Sequence, residues 1–322
     1  MTLCNLNLLA CWTALASVHS AFGGIINGYV YPRIIESRSD DGHMELMIND
    51  NINLNLEMAS PFADTFRVIY ENEGANFVEE RKADSLSGEI YKDTKQQAAL
   101  LISRENGLRV RGVIQGNLMI DHDDEAVFKN GLVRHRLSTR KSTAIREYHD
   151  DVTGSETFHE SFGERNKARL NERSLHNSGS KRATVETTVV LGHKYFSQFK
   201  KSNHSQVVSV IDYMAVFVAL VNAVFEEFDK SVLNIQLSVV SVVLLKSNSQ
   251  TFLQTIPQNG DAINGSTLQS FNKFVEKHEA VLGKQDIVVF ISNYTISTGD
   301  VYHSPTHYVA GFQEGSVSAV YT

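Results

Sequence analysis

Twelve histidines run through this 322-residue chain, and histidine is the side chain best suited to hold a catalytic metal. The arrangement that would use them is H-E-x-x-H on a helix. Its two histidines share one face and bind zinc, and the glutamate takes a proton from the metal-bound water. Two segments begin this pattern and do not finish it. His278-Glu279-Ala280-Val281-Leu282 ends on leucine, and His159-Glu160-Ser161-Phe162-Gly163 ends on glycine. Neither leucine nor glycine can ligate zinc, so His278 is expected to be a solvent-facing helix residue. His135, His149, His159 and His176 are spread too widely to form a site and are expected to be solvated. No G-x-S-x-G elbow, G-x-x-x-x-G-K-[ST] loop or G-x-G-x-x-G turn occurs, so nucleophile-elbow and phosphate-loop chemistry has no carrier. The only cysteines are Cys4 and Cys11. That rules out a disulfide-stapled mini-domain and a thiolate metal site downstream. The sequence as it stands contains no complete active site.

The elements that would position any chemistry divide the chain into four parts. Residues 3–18 are apolar or small with no charged side chain. They are too short for a comfortable membrane span, and Val18 and Ser20 fit a small-residue cleavage pattern. Residues 1–20 therefore read as a secretory signal peptide that carries both cysteines away. Residues 21–133 read as a β-rich domain. Ile52 to Leu56 alternates as a half-buried strand should, and Glu45 to Ile48 precedes it across an Asn49-Asp50-Asn51 turn. Phe66 to Tyr70 is a further strand, and Ala98 to Ser103 and Leu108 to Ile114 flank the hairpin signal Glu105-Asn106-Gly107. Residues 134–182 carry 11 Lys/Arg and 7 Asp/Glu with no apolar period, which reads as a flexible basic linker. It ends on Lys181-Arg182, a dibasic pair open to a trypsin-like processing protease.

Residues 183–322 alternate strand and helix. Val185 to Leu191 and Val232 to Leu245 read as strands around a helix over Val207 to Phe228. Asp212 and Asn222 interrupt that helix, so it is not read as a membrane span. An amphipathic helix over Ser266 to Leu282 leads to the buried strand Asp286 to Ser292, and His307 to Gln313 reads as an edge strand. Asn203, Asn264 and Asn293 begin N-x-[ST] glycosylation sequons. The net charge of −7 gives no global reason to expect nucleic acid as a partner. The expected fold class is α+β overall: a β-rich first domain followed by an α/β layer with a mixed sheet and helices.

The opening Val30-Tyr31-Pro32-Arg33-Ile34-Ile35-Glu36-Ser37-Arg38, with Ile48-Asn49-Asp50 and Leu54-Asn55-Leu56, resembles the propeptide of reprolysin-type (adamalysin, M12B, metzincin) metalloproteases, and looks most like secreted salivary members from blood-feeding arthropods. The resemblance continues through Phe62-Ala63-Asp64 and from Gly107 to Ile114. Val185 to Val190 then looks like the first strand of that family's catalytic domain, Asp286 to Phe290 like its third, and Ala310-Gly311-Phe312 with Gly315-Ser316-Val317 like its edge strand. The resemblance implies a secreted zinc metalloendopeptidase made as a zymogen, with Lys181-Arg182 as the maturation site and protein or peptide substrates. It implies that Ala310, Gly311, Phe312 and Gln313 line the substrate cleft. It also matches Glu186 and Asp286 to carboxylates that help bind a structural calcium ion. In the family H-E-x-x-H-x-x-G-x-x-H follows the edge strand, so the resemblance implies that Zn2+ is not bound by this chain and that it is inactive alone. Ser318 stands where the family usually has cysteine, and no propeptide cysteine is present for thiolate latency. The alternative is a secreted, non-catalytic decoy or propeptide-like binding protein.

Overall fold

Alternating apolar residues build most of the first 139 residues into sheet. The computed structural model describes residues 28–36, 43–72, 75–122, 128–129, 131–139, 182–199, 205–227, 234–246, 252–256, 259–264, 266–283, 285–292, 295–297 and 316–321. The segment read as a signal peptide and residues 140–181 of the segment read as a linker lie outside these residues. Among the described residues strands far outnumber helices, so the chain is β-rich, and its second sheet is mixed.

The first strands are β1 (Gly28–Val30), β2 (Arg33–Glu36), β3 (Met44–Asn49) and β4 (Ile52–Met58). Next come β5 (Phe62–Asn72), β6 (Ala75–Lys82), β7 (Glu89–Asp93), β8 (Ala98–Ser103) and β9 (Arg109–Ile114). β10 (Leu118–His122), β11 (Phe128–Lys129), β12 (Leu132–Val133) and β13 (His135–Thr139) complete the set. Nine of them form one antiparallel sheet in the order β1-β13-β10-β9-β8-β7-β4-β3-β2. The β3–β4 turn is fixed by Asn49, whose Oδ1 accepts from the Asn51 and Ile52 amides at 2.9 Å each. That is the local side-chain-to-backbone bonding that favours Asn in turns. One face of this sheet gathers Leu46, Leu54, Leu100, Ile102 and Ile120 into a core. β8 is buried on both faces, because Ala99 and Leu101 point the other way into a second core. Gly112 on β9 has φ +153°, and a Cβ there would come within 2.1 Å of the Ala99 carbonyl oxygen. Only glycine fits this approach.

β13 lies inside the segment that composition reads as linker from residue 134. Its His135 and Leu137 are buried while Arg136 is exposed, so period-2 alternation continues the sheet through residue 139. The expectation that His135 is solvated is corrected here. His135 is fully buried, its Nε2 accepts from the Val110 amide at 2.8 Å, and its Nδ1 donates to the Val133 carbonyl at 2.9 Å. It is a satisfied core histidine that ties β13 across the sheet to β9.

The second half opens with β14 (Ala183–Leu191), α1 (His193–Phe196), α2 (Gln206–Glu226) and β15 (Ile235–Leu245). A small sheet of β16 (Thr255–Ile256), β17 (Asn259–Asn264) and β19 (Thr295–Ser297) sits among α3 (Ser266–Lys277), α4 (Glu279–Leu282) and β18 (Ile287–Ser292), and β20 (Ser316–Tyr321) comes last. The main sheet has the order β20-β18-β14-β15-β5-β6. β14 pairs in parallel with both β15 and β18, and β20 pairs antiparallel to β18. The chain moves one way from β14 to β15 and the other way from β15 to β18. Right-handed crossovers then place α2 and α3 on opposite faces, as the two cores show. Val189, Leu191, Val242 and Leu244 meet α2, while Val190, Val243, Phe271, Val275 and Phe290 meet on the α3 side.

The hairpin β5–β6 comes from the first half of the chain and joins the second-half sheet. β5 pairs in parallel with β15 from Val239↔Phe62 to Leu245↔Glu71, and β6 closes the edge antiparallel to β5. Helix α2 is packed between the two large sheets, with Ala99, Leu101 and Val113 on one side and Val189 and Leu244 on the other. α2 is long and apolar enough to cross a bilayer. Its burial between two sheets accounts for that composition, since a helix apolar all round belongs to a core as well as to a membrane. Both polar residues that interrupt it are buried and bonded. Asp212 accepts from the Ser87 amide at 3.1 Å and from its hydroxyl. Asn222 Nδ2 donates to the Leu237 carbonyl at 2.9 Å, and its Oδ1 accepts from the Leu237 amide at 2.8 Å.

Candidate functional site

Glu186 and Asp286, a hundred positions apart in sequence, are brought together by the pairing of β14 with β18. The Glu186 amide donates to Asp286 Oδ2 at 3.0 Å, and the Asp286 amide donates to the Glu186 carbonyl at 2.9 Å. The Asp286 carboxylate thus extends the ladder one step beyond Thr187↔Ile287. Both residues are half-buried; Glu186 is the fourth residue of β14 and Asp286 immediately precedes β18. Two carboxylates alone cannot fill a calcium shell of 6–8 oxygens. Among the described residues no group of three or more His, Cys, Asp or Glu side chains has the closeness a metal needs. The residues described therefore do not fit a catalytic zinc ion or a complete calcium site.

The first histidine of the near-match H-E-x-x-H is half-buried rather than solvent-facing, which corrects the sequence expectation. The helix breaks at His278 into α3 and α4. Its Nδ1 lies 2.8 Å from the Phe274 carbonyl, and its ring packs 4.2 Å from the Phe274 ring. His278 terminates one helix and is engaged locally. His159 lies outside the described residues.

The dibasic pair Lys181-Arg182 is described only in part. Lys181 lies outside the described residues. Arg182 is 43% exposed and forms an ion pair with Glu226, the last residue of α2. Glu226 also bonds Lys92 on β7, and Lys92 lies 3.2 Å from Glu57 on β4. Burial raises the Glu226 carboxyl, but the hydrogen bonds and charges of Lys92 and Arg182 outweigh it and hold the group below the usual carboxylate range. A carboxylate at a helix C-terminus opposes the macrodipole, and that conflict is the signal that it needs cationic partners.

Ala310, Gly311, Phe312 and Gln313 lie outside the described residues, as do Asn203, Asn293 and the whole of the strand expected over His307 to Gln313. The described edge strand is β20, six residues paired with β18 from Ser292↔Ser316 to Ile287↔Tyr321. Asn264 is the last residue of β17. A cleft of about 560 Å³ opens between the β4–β5 connection, residues 83–90 and residues 102–105, and it is lined by Asp64, Asp84, Glu89 and Glu105 with Arg104.

No family model matches the chain. It is similar to venom metalloproteinase BumaMPs1 of Olivierus martensii, with 24% identity over 277 residues. That alignment covers 84% of this chain and 65% of the relative, so the chain spans just under two thirds of the relative's length. It takes in both large sheets, since so long a match cannot be confined to either half. The similarity is that of a distant relative, and it supports a metalloprotease family for this chain.

Proposed function

We propose that this chain is the propeptide and the amino-terminal part of the catalytic domain of a secreted zinc metalloendopeptidase of the reprolysin type, made as a zymogen. Residues 1–20 are its signal peptide, 21–133 its propeptide domain, 134–182 the connecting segment and 183–322 the start of its catalytic domain. The complete protein hydrolyses peptide bonds in protein or peptide substrates, which lie along Ala310 to Gln313. Lys181-Arg182 is the maturation site, and Asn203, Asn264 and Asn293 carry glycans. Glu186 and Asp286 contribute two carboxylates to a calcium site completed elsewhere. The observation that carries this reading is the similarity to a venom metalloproteinase along 277 residues. A second support is the mixed sheet, in which β14 pairs in parallel with β15 and β18 while β20 runs antiparallel to β18.

None of the 322 residues completes H-E-x-x-H-x-x-G-x-x-H, so this chain by itself is proposed to be inactive. Reading the messenger RNA beyond codon 322 tests the proposal. An in-frame H-E-x-x-H-x-x-G-x-x-H a short way downstream is the expected result. A stop codon at that point overturns it and leaves the non-catalytic binder.

A further inference from the structure

We infer that cutting this protein after Arg182 does not release its amino-terminal segment: residues 28–139 stay as a permanent, noncovalent subunit of the processed protein. The cut itself rests on the maturation reading above, and the attachment rests on the fold. The segment is not laid over a finished domain. It supplies two of the six strands in the second-half sheet, with β5 paired to β15 at Val239↔Phe62 and, past a register irregularity, continuously from Ser241↔Arg67 to Leu245↔Glu71. The ladder is continued at both ends, by the Val239 amide donating to the Pro61 carbonyl at 2.9 Å and the Lys246 amide donating to the Glu71 carbonyl at 2.9 Å. Without β5, β15 would present a bare row of backbone donors and acceptors in the parallel part of the sheet, where both faces are buried.

The side chains make the same bond in both layers. Phe62, Phe66 and Val68 of β5 share one core with α2 and with β14 and β15. On the far side of the sheet Ile69 joins Val243, Phe271 and Leu282. Arg67 reaches the carboxyl end of α4, donating to the Val281 carbonyl at 3.0 Å and to the Leu282 carbonyl. Those carbonyls have no partner within their own helix. The nine-stranded sheet then covers the other face of α2, and Ser87–Asp212 and Lys92–Glu226 cross that boundary.

The chain at the cut is also compatible with staying together. β14 starts at Ala183, whose amide donates to the Asn234 carbonyl at 2.7 Å. The ammonium that cleavage would create there is still a donor. Arg182 would remain on the amino-terminal chain, beside Glu226 of the other chain.

The test is a full-length chain with a recognition sequence for a specific protease in place of residues 155–161. It is cut to completion and passed over a sizing column with light scattering. Both pieces are expected in one peak at 1:1 stoichiometry, with the circular dichroism of the uncut chain. In urea they are expected to separate only as that signal is lost. Elution in two peaks, or separation before the signal is lost, overturns the inference. If the altered chain does not fold, brief trypsin digestion of the unaltered chain gives the same reading. Fragments from before residue 140 and after residue 182 must then elute together, and their separation in folded form overturns the inference. Neither measurement reads proteolytic activity or sequence beyond residue 322, so a failure here leaves the metalloproteinase reading untouched.

Discussion

Asn222 offers a perturbation whose cost follows from two contacts. It sits in α2 at 4% exposure and bonds both backbone groups of Leu237. The β5 ladder on β15 begins only at Val239, so the carboxamide completes the sheet edge where no strand reaches. Replacing Asn222 with alanine removes two hydrogen bonds, each worth about 1 kcal/mol net, and strands a buried N–H and C=O at about 1–3 kcal/mol apiece if water cannot enter. Partial relaxation puts the total at about 2–4 kcal/mol. Asn222→Leu keeps the branch at Cγ and the number of side-chain heavy atoms, is bulkier, and bonds nothing. The assay is urea unfolding of the wild type and both variants by far-ultraviolet circular dichroism, comparing midpoints at constant slope. Both variants should lose stability, and the leucine variant should recover no more than about 1 kcal/mol of what the alanine variant loses. A loss under about 0.5 kcal/mol in both, or full recovery in the leucine variant, would refute the reasoning, because the site would then be packing alone.

Other outcomes follow from the same kind of accounting. Glu226→Gln frees Arg182 and should speed tryptic cleavage after it several-fold, read by mass spectrometry of timed digests; an unchanged rate means that the ion pair does not shield the bond. Because the folded Glu226 carboxyl is held below its ordinary value of 4.5, its stabilising contribution is complete above about pH 4.5 and is lost as pH falls through the depressed value. Wild type and Glu226→Gln should therefore converge in stability only at acid pH. Burial, and then the bond to Glu79 at 2.9 Å, push the Tyr70 phenol up to about 12. The native state should lose its Tyr70 contribution as pH rises from about 10 towards 12, and the phenolate absorbance of wild type minus Tyr70→Phe should show one phenol titrating late. Gly112→Ala should cost more than about 2 kcal/mol, because the new methyl meets the Ala99 carbonyl oxygen and the φ is unfavourable; a loss below about 1 kcal/mol in urea unfolding would contradict this close approach.

Local pattern carried much of the fold. The alternation of Ile52 to Leu56, the Asn49 turn, the Gly107 hairpin and the long apolar helix are all short-range signals, and each has its element. What pattern could not show is non-local. Nothing in Phe62 to Asn72 says that it pairs in parallel with a strand from the other half of the chain, because strand composition does not name its partner. β6 was invisible for another reason. At the sheet edge Phe77 and Val78 are exposed and the run Glu79-Glu80-Arg81-Lys82 follows, so no apolar face marks it. Edges are commonly charged in this way. His135 stands among widely spaced histidines expected to be solvated; its burial depends on backbone partners at Val110 and Val133 that spacing cannot show. The resemblance names Glu186 and Asp286 together but not the bond from the Glu186 amide to the Asp286 carboxylate, and the conflict of Glu226 with the helix dipole calls for cations without naming Arg182 and Lys92, which come from distant segments.

The most direct measurement on the functional account is made on the purified 322-residue protein itself: zinc content by mass spectrometry, alongside chelator-sensitive hydrolysis of a mixed peptide substrate. The account predicts no stoichiometric zinc and no chelator-sensitive cleavage, because no H-E-x-x-H-x-x-G-x-x-H occurs in these 322 residues. One zinc per chain with peptide hydrolysis abolished by chelator would contradict it.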